Sequence, residues 1–178
     1  RVVITRAAQQ SDELADLVRD AGFEPVVVPL IAIAPPGDGG VALESALARL
    51  AEFEWLVVTS PTGASRVRDA VAARLDGAPK IAAVGRATEA ALGRAADLVP
   101  VRQVAEALLD GFPVGAGRVL LAQADGARPL LAAGLADKGW DVDVVEAYRT
   151  VAVPVSAAAK TAVASADASK ARGRGSRG

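Results

Sequence analysis

Short apolar runs alternate along this chain with stretches in which apolar residues recur every three or four positions. The runs predict buried β-strands, and the second pattern predicts amphipathic helices. Strands are predicted at residues 2–4, 25–28, 55–58, 80–84, 98–99, 118–121 and 142–145. Helical patterns lie at residues 14–18, 43–50, 64–75, 87–95, 104–109, 129–138 and 156–164. This alternation is typical of a parallel α/β fold.

The first helix has sequence signals at both of its ends. Ser11 is placed to cap the N-terminus, and Gly22 is placed to end the helix. Leu14, Leu17 and Val18 fall on one face of the helix, which predicts the face that packs against the strands.

Proline and glycine interrupt the alternation after the second strand. An extended run at 30–34 ends at Pro35-Pro36-Gly37-Asp38-Gly39-Gly40, and a second extended run at 147–153 ends at Pro154. Prolines that flank an extended run suit an edge strand or a connector. We interpret the two runs as crossings between domains that pair antiparallel in a two-stranded bridge, with hinges at Asp38–Gly40 and near Pro154.

The chain is therefore interpreted as one complete domain inserted into another that is only half present. The inserted part contains five predicted strands with helices between them, enough for one doubly wound sheet, whereas the start of the chain contains a single βαβ unit. The predicted divisions are 1–29 as the first half of domain one, 30–40 as a crossing strand and linker, 41–146 as the inserted α/β domain, 147–154 as the return crossing strand, and 155–178 as the start of the missing second half of domain one with a low-complexity basic tail.

The composition fits a globular protein and excludes several kinds of chemistry. Hydrophobic residues make up 52% of the 178 residues and charged residues 23%, which is far from a disordered composition. No apolar run approaches the roughly 18–20 residues that a membrane-spanning helix needs. The chain has no Cys, His or Met, which excludes thiol nucleophiles, disulfides, imidazole catalysis and zinc sites, and no metal site is predicted. The lack of cysteine fits the cytoplasm.

The charges are unevenly distributed along the chain. The last nine residues contain four basic residues and no acidic ones, which leaves 16 basic against 21 acidic residues in 1–169. An acidic body argues against a nucleic-acid groove. The Arg-Gly tail is either a nucleic-acid contact or a solvated end, of which the second is the more common. The start of the chain, RVVITR, is typical of a first strand and not of a signal peptide.

Small and polar residues follow the carboxyl ends of four predicted strands, where ligands bind to open parallel sheets. The four junctions are Thr5-Arg6, Thr59-Ser60-Pro61-Thr62-Gly63, Gly85-Arg86-Ala87-Thr88 and Gln123-Ala124-Asp125-Gly126-Ala127-Arg128. Ser60 is placed as a helix N-cap, with Pro61 at the first helical position. One interpretation is that Ser60 and Thr88 only cap helices. The other is that the four junctions open on one edge and form a binding site.

The junctions favour a ligand that carries carboxylates. Helix N-termini present free N–H groups and partial positive charge, which bind carboxylates as well as phosphates. The chain has no Walker A lysine, and Gly85-Arg86-Ala87-Thr88 lacks two glycines of the dinucleotide-binding fingerprint. We therefore expect backbone amides and hydroxyls at the strand ends to hold carboxylates.

Four segments, taken in order, resemble the uroporphyrinogen-III synthase family. They are Val3-Ile4-Thr5-Arg6, Thr59-Ser60, Ala83-Val84-Gly85-Arg86-Ala87-Thr88 and Glu146-Ala147-Tyr148-Arg149-Thr150-Val151. The resemblance covers residues 1 to about 165 and includes the interrupted-domain layout. It implies an α/β fold of two flavodoxin-like parallel-sheet domains joined by a two-stranded bridge, with the first domain incomplete in this chain.

The resemblance implies a cofactor-free, cytoplasmic enzyme of tetrapyrrole biosynthesis. Such enzymes dehydrate and cyclise hydroxymethylbilane and invert its last pyrrole ring. Tyr148, the only tyrosine, is implied as the catalytic residue that donates a proton to the departing hydroxyl or orients it; the alternative is a half-buried phenol that packs the bridge. The residues implied to bind the carboxylates of the substrate are Thr5, Arg6, Thr59, Ser60, Pro61, Gly85, Arg86 and Thr88.

The chain departs from the family pattern in three places. Gln123 stands where members often have an arginine, Val104 opens a helix where a hydroxyl cap is usual, and the basic tail replaces the second half of domain one. We therefore expect the 178-residue chain to be inactive or nearly so. The implied partners are a linear tetrapyrrole substrate and, transiently, the preceding pathway enzyme, with no nucleic acid or membrane, and a monomer is expected. The alternative function is a non-catalytic α/β domain that binds a carboxylate-rich small molecule.

Overall fold

The computed structural model describes residues 1–73, 77–157, 159–161 and 163. The chain divides into two compact units, of which unit 1 contains Arg1–Ala34 and the chain from Thr150 onward, and unit 2 contains Pro35–Arg149. Near the end of unit 1, residues 157, 159–161 and 163 are helical, within the segment predicted as helix. The predicted basic tail lies outside the described residues.

Unit 1 begins with the predicted βαβ unit. Strand β1 (Val2–Ile4) pairs in parallel with β2 (Pro25–Val27), and helix α1 (Asp12–Asp20) connects them. Strand β3 (Ile31–Ala34) follows β2. Gly22 has a φ of 79°, a left-handed conformation that suits glycine, and the helix ends before it as predicted.

Two details of α1 differ from the sequence prediction. Ser11 occupies the N-cap position, but its hydroxyl donates to the Ala7 carbonyl at 3.0 Å and accepts no cap hydrogen bond. The helix buries Ala15, while Leu14 is half-buried and Leu17 is 59% exposed. A pair of short strands covers only a narrow stripe of a helix, so the apolar face predicted from the sequence is wider than the face that is buried.

Unit 2 alternates helices and strands as the sequence predicts. The helices are α2 (Val41–Ala48), α3 (Pro61–Ala72), α4 (Arg86–Leu92), α5 (Ala105–Gly111) and α6 (Leu130–Asp137). The strands are β4 (Trp55–Val58), β5 (Lys80–Ala83), β6 (Arg118–Ala124) and β7 (Asp141–Ala152), the last of which continues into unit 1. The prediction of separate strands at 142–145 and 147–153 was wrong. No proline or glycine interrupts residues 141–152, so one strand runs through both segments.

The strands form a sheet with the order β3-β7-β6-β4-β5, and Leu98 adds a parallel bridge to Ala82 in β5. The pairs β4–β5, β4–β6 and β6–β7 are all parallel, which confirms the parallel α/β fold. Counted along unit 2 with Leu98 as the third strand, the order is 3-2-1-4-5, whereas the flavodoxin-like order is 2-1-3-4-5. The flavodoxin-like description is therefore not confirmed. The chain changes its direction of travel across the sheet between β4 and β6, which makes this pair the topological switch point.

The two predicted crossings are neighbours in this sheet. Strand β3 lies next to β7 in the hydrogen-bonded order. Just beyond the strand ends, and within unit 1, the Val153 N–H donates to the Leu30 carbonyl at 2.9 Å. The edge position of β3 agrees with the prolines on both sides of it.

Two apolar clusters cover the two faces of the sheet in unit 2. Leu56 and Val58 pack with α2, α3 and α4 on one face, whereas Trp55 and Val57 pack with α5 and α6 on the other. Successive side chains of a strand point to opposite faces. Because both faces are covered, the central strands are apolar at nearly every position, as in other buried parallel sheets.

Candidate functional site

The junction between β4 and α3 is a capped helix N-terminus. Ser60 has the extended backbone of an N-cap, and its Oγ accepts the Gly63 N–H at 3.0 Å. Pro61 occupies the first helical position, where a missing N–H leaves no hydrogen bond unmade. The predicted cap at Ser60 is confirmed.

Gly63 brings the first turn of α3 close to the switch point of the sheet. A Cβ at this position would lie 3.3 Å from Ser60 Oγ and 3.7 Å from the Ala122 carbonyl oxygen of β6. Ligands of open α/β sheets bind in the crevice at this point. Thr59 and Ser60 are both half-buried there, so the crevice contains two partly exposed hydroxyl residues.

The junction between β5 and α4 is filled by another part of the chain. Gly85 is the N-cap of α4 and offers no side chain, and the Arg86 N–H donates to the Gln103 side-chain oxygen at 3.0 Å. A Cβ at Gly85 would collide with that oxygen and lie 3.1 Å from Gln103 Cβ. Thr88 lies inside α4 and is 2% exposed. The interpretation of Thr88 as a helix cap was therefore wrong, because Gly85 and Gln103 take that place.

The positive charge of Arg86 is already paired in this structure. Its guanidinium donates to Glu89 at 2.8 Å, and the second oxygen of Glu89 accepts the Ala96 N–H at 3.0 Å. The hydrogen bond from Ala96, and then that from Arg86, lower the pKa of Glu89 below its ordinary value. The outer side of α4 contributes to an open pocket of about 340 Å³, lined by Arg86, Glu89, Ala90, Gly93, Arg94 and Ala95.

Tyr148 lies in β7, opposite the last residue of β6. The Asp125 N–H donates to the Tyr148 carbonyl at 2.9 Å. The strand register aligns Val58 with Ala122 and Ala122 with Val145, so Tyr148 lies beyond the level at which β4 ends. Its half-buried side chain packs against the apolar cluster on the face that α3 covers.

Ser60 and Tyr148 lie at the same level along the strands. Ser60 follows Val58 by two residues, and Ala124, the partner of Tyr148, follows Ala122 by two residues. Only β6 separates their two strands, which corresponds to roughly 10 Å across a sheet. The structure thus brings the α3 junction and the tyrosine to one edge of the sheet in unit 2.

Thr5 and Arg6 are the two predicted site residues that lie in unit 1. Both follow β1 directly and are exposed. The Thr5 carbonyl accepts the Leu30 N–H at 3.1 Å. Their participation in a site with the residues of unit 2 stays a prediction.

Charged residues lie on either side of Tyr148, and no role was predicted for them from the sequence. Arg149 Nε donates to Glu146 at 3.0 Å, and Arg149 Nη2 lies 3.6 Å from the Asp125 carboxylate. Glu146 also accepts the N–H of Gly37, 109 positions away in the sequence. No local pattern indicates such a cluster, because two of its four members come from distant segments.

The described acidic residues of unit 2 do not gather as metal ligands do. In the part of the chain that the structure describes, no group of three or more His, Cys, Asp or Glu could hold a metal ion. Glu89, Glu146 and Asp125 are instead paired with arginines. Among the same residues, no helix combines the length and the apolar character that a membrane crossing requires.

The fold and this edge define a class of protein. It is an α/β protein whose parallel sheet carries, at its carboxyl edge, a hydroxyl-capped helix and a half-buried tyrosine. Residues 12–171 match the protein-family model described as uroporphyrinogen-III synthase HemD. The chain belongs to the uroporphyrinogen-III synthase family.

Individual relatives agree with this assignment. The uroporphyrinogen-III synthase of Synechococcus elongatus is 33% identical over 159 residues, which make up 84% of this chain and 60% of the relative. The crystal structure of a mutant uroporphyrinogen III synthase from the extremely thermophilic bacterium Thermus thermophilus has a TM-score of 0.65 at 23% identity, covering 85% of this chain and 63% of that one. The wild-type enzyme from the same bacterium gives a TM-score of 0.57 with the same identity and coverage. At this identity the structures support the fold alone, and the chain spans about 60% of the length of the Synechococcus relative.

Proposed function

We propose that this protein dehydrates and cyclises hydroxymethylbilane, with inversion of the last pyrrole ring, as a uroporphyrinogen-III synthase. The observation that carries the proposal is the common level of Ser60 and Tyr148 at the carboxyl edge of the sheet, in a chain of this family. Because the chain spans about 60% of a curated relative, the proposal concerns the protein at its full natural length. We also propose that the whole protein has two α/β domains, which β3 and β7 join as a two-stranded bridge.

The first turn of α3 suits one of the acetate or propionate carboxylates of the substrate. The N-terminus of a helix carries partial positive charge. Ser60 Oγ accepts the Gly63 N–H and keeps its own O–H to donate to a ligand. Thr59 adds a second hydroxyl beside it. We assign Thr59, Ser60 and Pro61 to this binding position.

Binding at the second junction requires a displacement. A substrate carboxylate that reached the Arg86 N–H would replace the Gln103 oxygen that now accepts it. The exchange substitutes a charged acceptor for a neutral one, and charged acceptors form the stronger hydrogen bonds. Gly85 and Arg86 are assigned to this position, and Thr5 and Arg6 to a further one in unit 1. Thr88, which is 2% exposed inside α4, is too buried to contact the carboxylate itself.

The chemistry can proceed without histidine or cysteine. Loss of the hydroxyl from ring A gives an electrophilic azafulvene, and the pyrroles of the substrate are the nucleophiles. The protein has to fold the substrate, stabilise cationic intermediates and assist the departing hydroxide. Tyr148 donates the proton that lets the hydroxyl leave as water. Its half-buried position at the sheet edge supports this role.

We also propose where the enzyme acts and with which partners. The protein acts in the cytoplasm as a monomer and without a cofactor. It receives its linear tetrapyrrole through transient contact with the preceding pathway enzyme. Neither a nucleic acid nor a membrane takes part.

Replacement of Tyr148 by phenylalanine tests the proposal at full natural length. Tyr148→Phe keeps the ring and removes only the oxygen, so the free energy of unfolding should change little. A positioned general acid contributes about 100-fold or more to a rate, so formation of the type III macrocycle should fall by that factor. The uncatalysed type I product should accumulate instead. Unchanged type III formation would mean that Tyr148 is a packing residue.

Binding separates the enzyme from the alternative of a non-catalytic carboxylate-binding domain. The wild-type protein at full natural length is titrated with uroporphyrin and assayed with hydroxymethylbilane. The proposal requires both binding and type III formation. Binding without any type III product would favour the alternative, and the absence of both would reject the two together.

A further inference from the structure

Asp125 contacts both sides of the peptide that joins Tyr148 to Arg149. Its N–H donates to the Tyr148 carbonyl at 2.9 Å. Its carboxylate lies 3.6 Å from Arg149 Nη2. A single residue that follows β6 therefore holds β7 through the backbone on one side and through a charge on the other.

The regular strand pairing is interrupted immediately before Tyr148. Gln123 pairs with Glu146, but the next residue of β6, Ala124, pairs with Tyr148, so Ala147 is an extra residue in β7. Extra residues of this kind bend a strand and re-aim the side chains that follow them. The direction of the Tyr148 side chain therefore depends on what holds the strand beyond the irregularity.

Gly37 provides the opposite wall of the cluster. Its N–H donates to Glu146 at 3.0 Å, and the same Glu146 oxygen accepts Arg149 Nε at 3.0 Å. A Cβ at Gly37 would lie 2.5 Å from Arg149 Nη2 and 3.0 Å from Arg149 Cζ. The guanidinium therefore lies directly against the Gly37 backbone, between Glu146 and Asp125.

We propose that Asp125 and Arg149, with Glu146 and Gly37, are positioning residues that fix the side chain of Tyr148 at the sheet edge. The inference rests on the proposed function, in which Tyr148 has to point towards the substrate. None of the four has to touch the substrate. They act through the backbone on either side of the tyrosine. The regular pairing of β6 with β7 is interrupted just before Tyr148, so the pairing alone does not fix the direction of this side chain.

The test uses the fact that Tyr148 is the only tyrosine in a chain without cysteine. Nitration by tetranitromethane therefore reports the exposure of this one phenol in the 178-residue chain. Asp125→Asn and Arg149→Gln should each raise the nitration rate about two- to fivefold. This factor corresponds to the free energy that an exposed ion pair typically contributes. The double variant should react no faster than the faster single variant, because Arg149→Gln already removes the contact that Asp125→Asn removes.

Arg128→Gln is the matched control. It removes another ion pair of unit 2, Arg128 with Glu106 at 2.9 Å, whose arginine side chain is 70% exposed against 38% for Arg149, and should leave the nitration rate unchanged. A wild-type rate in both Asp125→Asn and Arg149→Gln would overturn the proposal. So would an equal increase in the Arg128→Gln control.

Gly37→Ala tests the same cluster from the other chain segment without removing a charge. The added methyl group has to move the guanidinium of Arg149, which is the flexible end of its side chain. The NMR signals of ring-labelled Tyr148 should shift in this variant, as in Arg149→Gln, at an unchanged far-ultraviolet circular dichroism spectrum. An unshifted tyrosine signal would contradict the inference. Neither the nitration rate nor the NMR signal involves substrate, so a negative result in these two measurements leaves the proposed function standing. If Tyr148→Phe did not slow synthesis, the two measurements would still report the position of Tyr148.

Discussion

The Gln103 side-chain oxygen accepts the Arg86 N–H at 3.0 Å, at the helix end where the sequence predicts a substrate carboxylate. The first amide of α4 thus has an acceptor within the protein. The absence of a Cβ at Gly85 is what allows the glutamine to approach so closely. Helix ends leave backbone N–H groups without intrahelical partners. Here a side chain 17 residues away in the sequence supplies the acceptor.

The first prediction concerns this glutamine. Gln103→Ala removes the acceptor of the Arg86 N–H and should lower the free energy of unfolding by about 0.5–1.5 kcal/mol. Gln103→Glu keeps an acceptor and adds a negative charge near the N-terminus of α4, so it should be at least as stable as the wild type. Urea denaturation of the three proteins measures the difference. An unchanged free energy of unfolding in Gln103→Ala would show that the hydrogen bond contributes nothing.

A second prediction concerns the dependence of stability on pH. The Ala96 N–H, and then the Arg86 guanidinium, lower the pKa of Glu89 from its ordinary value of 4.5. The unfolded chain lacks these contacts. The stabilisation is therefore fully present above pH 4.5 and is lost as the pH falls through the lowered native value. Glu89→Gln removes the titrating group, so its free energy of unfolding should fall less steeply below pH 4.5 than that of the wild type.

Urea denaturation at a series of pH values compares the two proteins. Their difference in free energy of unfolding should be largest above pH 4.5 and should shrink below it. Glu44→Gln, which removes an exposed carboxylate from α2, serves as the control. Parallel curves for wild type and Glu89→Gln would contradict the prediction.

Features that depend on neighbouring residues were predictable from the sequence. A hydroxyl residue followed by proline at the end of an apolar run indicates an N-cap, and Ser60 caps α3 as expected. Apolar runs between turn residues gave the strands of unit 2, and their parallel pairing followed from the helices between them. The family resemblance was carried by short segments of this kind.

Features that depend on distant contacts were not predictable in the same way. Ser11 has the same cap-forming chemistry as Ser60, but a nearer acceptor, the Ala7 carbonyl, takes its hydroxyl. Leu17 is on the apolar face of α1, yet the narrow pair β1–β2 leaves it exposed. The contacts of Gln103 with Arg86 and of Gly37 with Glu146 were missed, because only the folded chain brings these residues together.

A third prediction compares two glycines in left-handed conformations. Gly139 has a φ of 94°, and a Cβ there would collide with the Gly115 backbone carbonyl oxygen; Gly126 has a φ of 66° and open space around it. An L-residue in this conformation is disfavoured by roughly 1–2 kcal/mol, and both Gly→Ala changes incur that term. Only Gly139→Ala adds a collision with backbone, which cannot rotate away. Its loss in free energy of unfolding, measured in urea, should exceed that of Gly126→Ala, and equal losses would contradict the backbone contact.

The last prediction separates the observed role of Ser60 as a helix cap from its proposed role as a ligand of carboxylates. Ser60→Ala removes the acceptor of the Gly63 N–H and should lower the free energy of unfolding by about 1 kcal/mol. Ser60→Asp keeps a capping acceptor and adds a charge that the helix N-terminus favours, so its stability should equal or exceed that of the wild type.

The same charge should repel a bound carboxylate. Two unit charges about 4 Å apart repel by ~1 kcal/mol even in water, so uroporphyrin should bind at least about fivefold more weakly. Urea denaturation and a uroporphyrin titration on the same preparations measure both quantities. The control is Ser65→Ala, which removes an exposed hydroxyl that donates to the Pro61 carbonyl. Undiminished binding by a stable Ser60→Asp variant would mean that the N-terminus of α3 holds no carboxylate of the ligand.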